Sequence, residues 1–531
     1  YNSIRNNIAI GFHRLAIMDN SFKSNQPYVF QERTRSVIFI CNGEIYNFKE
    51  LNEKYNLGIT NNSDCLTIPK LYLKFGNDGN FKSLFQEEIK GEFAFLLFEF
   101  DNLKNLKKMI AGRDQIGIRP LYYSDNYKDD LIFSSEIKGM KNYNGHVSEF
   151  PPGCLFEFEF NDFKNTLSKF YFKYIYFALP KTIKDNSVEK LELKILDNIR
   201  STVIRSVKRR LEADRPLAFL LSGGVDSSLV CAIAAILLKH PINTFCCGMG
   251  EGTDLKYAKM VADHIKSNHK EVLFTEDEGF EAIPEVINTI ESWDTTTVRA
   301  SVGQYLVSKY IGTKTDCKVV FVGEGPDEVC SSYMFNWNAP DGKELHKTAM
   351  DYVDKIHYFD CKRSDRCISN WGLEGRVPLL DPEFIQAYWE IPEVWRHPKY
   401  KGIEKYWLRK AFDNLDLLPK EVLWRKKEAF SDGVSGNENS WHSIIQKKVD
   451  KLVNDDFIDS SKKCYTNNIP VTKESFFYRR IFTSLYGIKR DDIIKNYWQP
   501  KWSGTTDYID PSARILNAYN KNENNTEINN F

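Results

Sequence analysis

The stretch Leu217-Ala218-Phe219-Leu220-Leu221-Ser222-Gly223-Gly224-Val225-Asp226-Ser227-Ser228, which runs on through apolar residues to Leu238, decides the fold. Its length and hydropathy alone would suit a membrane span, but Asp226 and the Gly223-Gly224 pair in its middle argue against one. A short strand, a tight turn and a buried helix fit it better. Around it, short apolar runs at Ala218–Leu221, Thr244–Cys247, Val272–Phe274 and Val319–Val322 alternate with long helical patterns. Strands separated by helices of that length predict a parallel sheet with helices on both faces. The chain from there to about Tyr486 reads as mostly helical.

The first 160 or so residues have a different texture. Short apolar runs at Ile8–Phe12, Ser36–Cys41, Phe93–Phe100 and Leu131–Phe133 are bounded by Gly, Asn, Asp and Pro, which predicts a β-rich domain. Phe156, Phe158 and Phe160 alternate with Glu157 and Glu159, as in a strand with one buried and one wet face. The division expected is residues 1–174, a linker over 175–187 rich in Pro180, Lys181, Lys184 and Asn186, a second domain over 188–490, and a tail over 491–531. The Asn-rich end of that tail reads as disordered.

Composition narrows the function classes. In 531 residues, 72 Lys+Arg balance 72 Asp+Glu, which argues against a protein that coats nucleic acid. Any phosphate must be met by local geometry. The 11 Cys form no CxxC pairs, and Cys361 and Cys367 are too isolated for a zinc site, so reduced cytosolic thiols are expected. No partner membrane is expected either.

Ser222–Ser228 follows a strand and opens a helix, where backbone N–H groups, serine hydroxyls and the helix N-terminus favour an anion. Asp226 would repel phosphate unless a divalent cation lay between them, so the loop reads as a pyrophosphate cradle with a metal-ligating carboxylate. No Lys follows the glycines, so it is not a Walker loop, and it is not GxGxxG. The plainer alternative is a Gly-Ser turn with a capping serine. The loop resembles the SGGxDS loop of the ATP pyrophosphatases. A second loop, Gly323-Glu324-Gly325-Pro326-Asp327-Glu328, follows the strand at Val319–Val322. Its three carboxylates are costly at a strand end unless a cation binds there. Asp327 is the natural second metal ligand, and Glu324 could orient an amine or take its proton. Ile403–Lys410 reads as a helix with basic residues on two faces, a pattern that is usually a solvated surface.

Together with Asp294–Ser301, Gly372–Pro378, Lys427–Gly433 and the tail strings Trp498–Trp502 and Asp510–Arg514, these loops resemble the glutamine-hydrolysing asparagine synthetases over nearly the whole chain. The resemblance implies an α/β parallel-sheet ATP pyrophosphatase domain with a mostly helical remainder. It places Leu221, Cys247, Val322 and Gly323 at ATP, and Ser222, Gly223, Gly224, Asp226, Ser227 and Ser228 on pyrophosphate. Asp226 and Asp327 become magnesium ligands, Glu324 serves the β-aspartyl-AMP intermediate, and Lys405 stabilises charge during adenylation. This chain departs from the usual pattern by carrying Val322 and Pro326 at two serine positions and Ser331-Ser332 where glycines are common.

The N-terminal part resembles the family's glutaminase, implying an Ntn-hydrolase-type α+β domain, a β-sandwich flanked by helices. Its strings are Phe12–Asp19, Asn42–Asn47, Asn62–Cys65, Gly112–Asp114 and Gly117–Tyr123. By resemblance Arg14, Ile17, Met18, Asn42, Gly43, Glu44 and Asp64 bind glutamine. Arg14 could clamp its carboxylate, Glu44 and Asp64 hold its ammonium, and Asn42 with the Gly43 N–H form an oxyanion hole. The family's nucleophile is an N-terminal cysteine ahead of the Arg14 position, activated by its own α-amino group. No such residue precedes Arg14 here, so the sequence, which starts at Tyr1, reads as N-terminally incomplete and as able to use ammonium but not glutamine. Cys41 and Cys65 lie inside matched strings and lack a free amine.

The expected reaction is ATP-dependent amidation of aspartate, with ATP as co-substrate, Mg2+ as cofactor and aspartate, glutamine or ammonia as small-molecule substrates. Dimerisation is an expectation from the family alone. Two rivals stand beside it: a β-lactam synthetase-like enzyme with a degenerate glutaminase, disfavoured by the intact glutamine strings, and a catalytically dead amino-acid or nucleotide sensor, motivated by Val322, Pro326 and the absent cysteine but opposed by the retention of Asp226, Asp327, Glu324 and Lys405.

Overall fold

The computed structural model describes residues 2–4, 8–76, 79–124, 131–160, 166–171, 188–250, 252–427, 433–435, 440–504, 511 and 516. The expected linker at 175–187, most of the Lys427–Gly433 string and the Asn-rich end lie outside them. The chain divides into one unit of Tyr1–Ile175 with Glu212–Pro216, and a second of Tyr176–Leu211 with Leu217–Phe531.

The first unit is built on a six-stranded antiparallel sheet. Its spatial order is Thr166–Tyr171, Cys154–Glu159, Leu106–Arg113, Gly91–Asp101, Arg35–Ile45, Tyr28–Gln31. A small sheet of Phe133–Ser134, Tyr122–Ser124 and Val147–Glu149 shares its core. Period-two alternation sends Ala94, Phe98, Met109, Ala111, Phe156 and Phe158 to that core, where Phe150 and Phe156 lie 4.3 Å apart. On the opposite face, Phe95 meets Phe85 of the helix Asn80–Glu87. This is the expected β-sandwich flanked by helices. The wet face expected beside Phe156 and Phe158 differs at Glu157, whose side chain is only 12% exposed because Lys82 and Lys108 approach it at 3.4 and 3.6 Å.

The second unit holds a five-stranded parallel sheet in the order Asn268–Leu273, Asn243–Gly248, Leu217–Leu220, Val319–Phe321, Glu374–Arg376. Leu217–Leu220, first of these in the chain, is central, so the sheet is wound outward in both directions from it. That makes the gap between the ends of Leu217–Leu220 and Val319–Phe321 the switch point where open α/β sheets bind ligands. Phe219 and Phe321 stack at 4.7 Å and lock those two strands together. The helix Val225–Leu238 is apolar almost all round and mostly buried, as its sequence demands.

Candidate active site

The two loops predicted to carry chemistry emerge side by side from the switch point. Gly323 is the reason they can. A Cβ there would sit 2.6 Å from the Ser227 nitrogen and 2.9 Å from its Cα, both rigid backbone. Gly223 has φ +73°, and a Cβ on it would lie 2.5 Å from Tyr257 Cβ. Within the loop, the Ser222 N–H donates to Ser227 Oγ (3.2 Å) and the two hydroxyls lie 3.0 Å apart. Arg425 donates to the Gly223 carbonyl at 3.4 Å while stacking 4.0 Å over Tyr257. Leu221, Cys247 and Val322 are buried in the strand ends around the loops. Burial pushes the Cys247 thiol up to about 12, which keeps it protonated.

Lys405 joins the loops. Its Nζ donates to Asp226 Oδ2 and Asp327 Oδ1, each at 2.5 Å, and Lys427 Nζ pairs with the other Asp327 oxygen. Burial works against the Asp327 charge, but Lys405 and Lys427 outweigh it and hold the carboxyl well below its usual range. Asp226 is raised, by burial and by Asp327, against the pull of Lys405. Burial likewise disfavours the Lys405 ammonium, and the two carboxylates more than restore it. Ser332 Oγ donates to Asp327 as well.

The structure corrects the reading of Lys405 as part of a helix with solvated basic faces. The helix here is Tyr406–Phe412, and Lys405 precedes it in the left-handed region at φ +57°, 3% exposed. Arg409 is buried too, tied to the Glu404 and Leu423 carbonyls. Both basic residues point inward, where hydropathy patterns do not expect them.

Glu324 Oε2 accepts from Arg363 Nη2 at 2.8 Å, and the same nitrogen donates to Asp360 at 2.5 Å. Arg363 Nη1 reaches Gln304 Oε1 at 3.0 Å. Burial raises the Glu324 carboxyl and Arg363 only partly offsets it, which makes Glu324 a better proton acceptor than a surface carboxylate. The unusual residues are accommodated locally. Pro326 opens the short helix Pro326–Val329, a position that needs no N–H, and Ser331 occupies φ +55°, the conformation for which glycine is common. Lys427, Arg363 and Arg425 were given no role by sequence reasoning; only their placement by distant chain segments brings them here.

In the first unit the predicted glutamine strings also converge. Arg14 Nη2 donates to the Met18 carbonyl (2.8 Å) and to that of Asp19, and Nη1 to Ser21 O and Asn25 Oδ1 (3.2 and 3.1 Å). Ile17 and Met18 are buried. Asn61 donates to Asp19 Oδ2, and Tyr28 joins Ser24 to Ser63, which carries the chain to Asp64. Asp64 Oδ2 accepts the Ile45 N–H at 2.7 Å, beside Asn42, Gly43 and the buried Glu44. Gly43 (φ +139°) is wedged against the neighbouring strand, where a Cβ would lie 2.0 Å from Glu92 O. Asp214, unforeseen, accepts the Asp19 N–H at 2.7 Å and donates its own N–H to Ile17 O. Cys65 is buried, and its hydrogen bond with Cys41, with burial, holds the thiol well above its usual range, which is unsuited to nucleophilic duty.

One unit thus resembles a glutamine-handling domain and the other an ATP-dependent synthase, which together define a glutamine amidotransferase coupled to a synthase. Sequence profiles agree: one described as "Glutamine amidotransferase domain" matches residues 2–189, and one described as "Asparagine synthase" matches 198–340 and 336–508. The chain belongs to the glutamine-hydrolysing asparagine synthetase family. It is 40% identical to the mouse "Asparagine synthetase [glutamine-hydrolyzing]" over 97% of this chain and 92% of that protein. The human and chicken proteins of the same name are each 39% identical over the same shares.

Proposed function

We propose that the chain amidates aspartate to asparagine at the expense of ATP, releasing AMP and pyrophosphate, with ammonia supplied in the complete protein by glutamine hydrolysis. The observation that carries this reading is the junction of Asp226, Asp327 and Lys405 at the sheet's switch point. Asp226 Oδ1 and Ser228 Oγ are buried without a hydrogen-bond partner among the described residues. An unpaired buried carboxylate oxygen costs energy that a cation or phosphate-bound ligand would recover. The donor set therefore fits Mg2+, held by Asp226 and Asp327. When bound, the ion neutralises phosphate charge and aligns the pyrophosphate as a leaving group.

The chain's own residues do the rest. Ser222, Gly223, Gly224 and Ser227 present hydroxyls and the helix N-terminus to the phosphates. Lys405 and Lys427 supply positive charge where pyrophosphate leaves. The aspartate side-chain oxygen attacks the α-phosphorus, the bond to the bridging oxygen of pyrophosphate breaks, and a mixed anhydride forms. Ammonia then attacks its carbonyl carbon, AMP leaves, and Glu324, held by Arg363, takes the proton the nitrogen sheds. Arg14, Asn42, Gly43, Glu44 and Asp64 bind glutamine in the other unit. All 11 cysteines are free and ten are buried, which supports a reducing, cytoplasmic setting. Among the described residues no helix is long and apolar enough to cross a membrane.

Oxygen tracing tests the reaction. Aspartate labelled with 18O in its side chain should deliver one label to AMP. Label in orthophosphate instead would show γ-phosphoryl transfer and refute adenylation.

A further inference from the structure

Glu404 is a buried carboxylate to which the reaction above gives no part. It is 6% exposed and stands immediately before Lys405. Its Oε1 accepts from Arg409 Nη2 at 2.7 Å and from the backbone N–H of Lys427 at 2.9 Å. The first bond stays within the turn that carries Lys405: Arg409 Nε donates to the Glu404 carbonyl at 2.9 Å, and the Arg409 N–H closes on the Lys405 carbonyl at 3.0 Å. The second bond reaches a segment 23 residues further along the chain.

That segment depends on an outside anchor. Arg425–Lys427 follows the short helix Lys420–Leu423 and lies in no helix or strand. Its side chains serve both loops of the site, since Arg425 donates to the Gly223 carbonyl and Lys427 pairs with Asp327. Arg409 Nη1 donates to the Leu423 carbonyl at 2.6 Å, so the pair of Glu404 and Arg409 grips the chain both just before this segment and at its Lys427 end. A lysine is a long, rotamer-rich side chain, and its ammonium is only as well placed as the backbone that carries it. Burying the Glu404 charge is costly unless it is paired, and Arg409, 1% exposed, pairs it. An ion pair that served Arg409 alone would leave the Lys427 N–H without this acceptor.

We propose that Glu404 is a positioning residue for the two cations of the phosphate site. One carboxylate oxygen sets the Lys427 backbone against the turn that carries Lys405, so that the two ammonium groups meet different oxygens of the same carboxylate, Asp327. Glu404 acts through these lysines and contacts no reacting atom. The kinetic part of the proposal rests on the adenylation proposed above, whereas its effect on pyrophosphate binding rests on the contacts alone.

The test compares Glu404→Gln and Glu404→Ala on the full chain, each also combined with Lys427→Met, by ATP–pyrophosphate exchange and by calorimetric titration of magnesium pyrophosphate. The glutamine amide oxygen can accept both hydrogen bonds, and alanine accepts neither. Glu404→Gln should melt lower, because Arg409 loses its counter-ion, yet keep kcat within threefold of wild type. Glu404→Ala should lower kcat by about a hundredfold, the scale of a misplaced catalytic group, with the KM for aspartate within twofold. It should weaken pyrophosphate binding by about tenfold, the loss of one charge-assisted contact, while Glu404→Gln leaves it unchanged. In the Lys427→Met background the kinetic cost of Glu404→Ala should shrink at least tenfold, because the group it positions is gone. If Glu404→Ala does not fold, as circular dichroism would show, Glu404→Asp replaces it: the charge stays for Arg409, but the side chain is one methylene short of Lys427. Exchange within threefold of wild type in the Ala or Asp variant, a Gln variant as impaired as Ala, or full additivity with Lys427→Met would overturn the proposal. A wild type without aspartate-dependent exchange, whose variants still follow the expected order of pyrophosphate affinity, would refute the reaction and leave the positioning role standing.

Discussion

Lys405→Met is the most informative single change. The wild-type ammonium lies 2.5 Å from one oxygen each of Asp226 and Asp327 and is 3% exposed. Methionine keeps the volume but removes the charge, leaving two carboxylates to face each other with only Lys427 as counter-ion. Breaking a buried ion pair from one side costs about 3–5 kcal/mol. At about 2 °C per kcal/mol, the low end for domains this large, the second unit should melt about 6–10 °C lower. A divalent cation can occupy the vacated electrostatic position, so millimolar Mg2+ should recover much of that loss in the variant and do less for wild type. Scanning calorimetry with and without Mg2+ reads both effects without any enzymatic assay. A variant that melts within 1 °C of wild type, or one indifferent to Mg2+, would refute the argument that Lys405 balances this carboxylate pair.

Four further outcomes follow from the same contacts. Asp226→Asn should reduce aspartate-driven ATP–pyrophosphate exchange by at least about a hundredfold, as loss of a group aimed at transition-state charge does, with the melting of the first unit unchanged. Gly323→Ala forces a Cβ into Ser227 backbone at 2.6 Å; it should cost about 1–3 kcal/mol in urea unfolding and raise the KM for ATP. Gly43→Ala meets Glu92 O at 2.0 Å and should destabilise the first unit by more than 2 kcal/mol or so, seen in its own thermal transition. Asp19 is lowered from 3.8 to about 2: burial opposes its charge, but hydrogen bonds from Ser24, Ser21 and Asn61 prevail. Its folded value lies below its unfolded one, so its contribution is full above about pH 4 and is lost as pH falls towards 2. The stability gap between wild type and Asp19→Asn should narrow over that window in urea titrations.

Much of this architecture is visible in the chain itself, because its cues are local. Leu217–Ser228 carries strand, turn and helix in one run, and three of the five parallel strands are apolar enough to stand out, whereas Asn268–Leu273 is polar except for Val272 and Leu273, so the run expected at Val272–Phe274 meets only its end. The fifth, Glu374–Arg376, is three residues long with charged ends, and only pairing with Val319–Phe321 makes it a strand. Leu106–Arg113 escaped notice because Lys107 and Lys108 interrupt its apolar alternation. The site divides in the same way. Asp226 and Asp327 declare themselves by sitting among glycines at strand ends, whereas the inward turn of Lys405 depends on a left-handed residue before a helix. Lys427, Arg363 and Asp214 act across distances in sequence that no local pattern spans.

The central claim is that aspartate is activated by adenylation at the Asp226–Lys405–Asp327 junction. Exchange of labelled pyrophosphate into ATP, measured with and without aspartate, tests it most directly. The account predicts exchange that requires aspartate and Mg2+, and that disappears in Asp226→Asn. Exchange indifferent to aspartate, or ATP consumed to ADP and orthophosphate with no exchange at all, would contradict it.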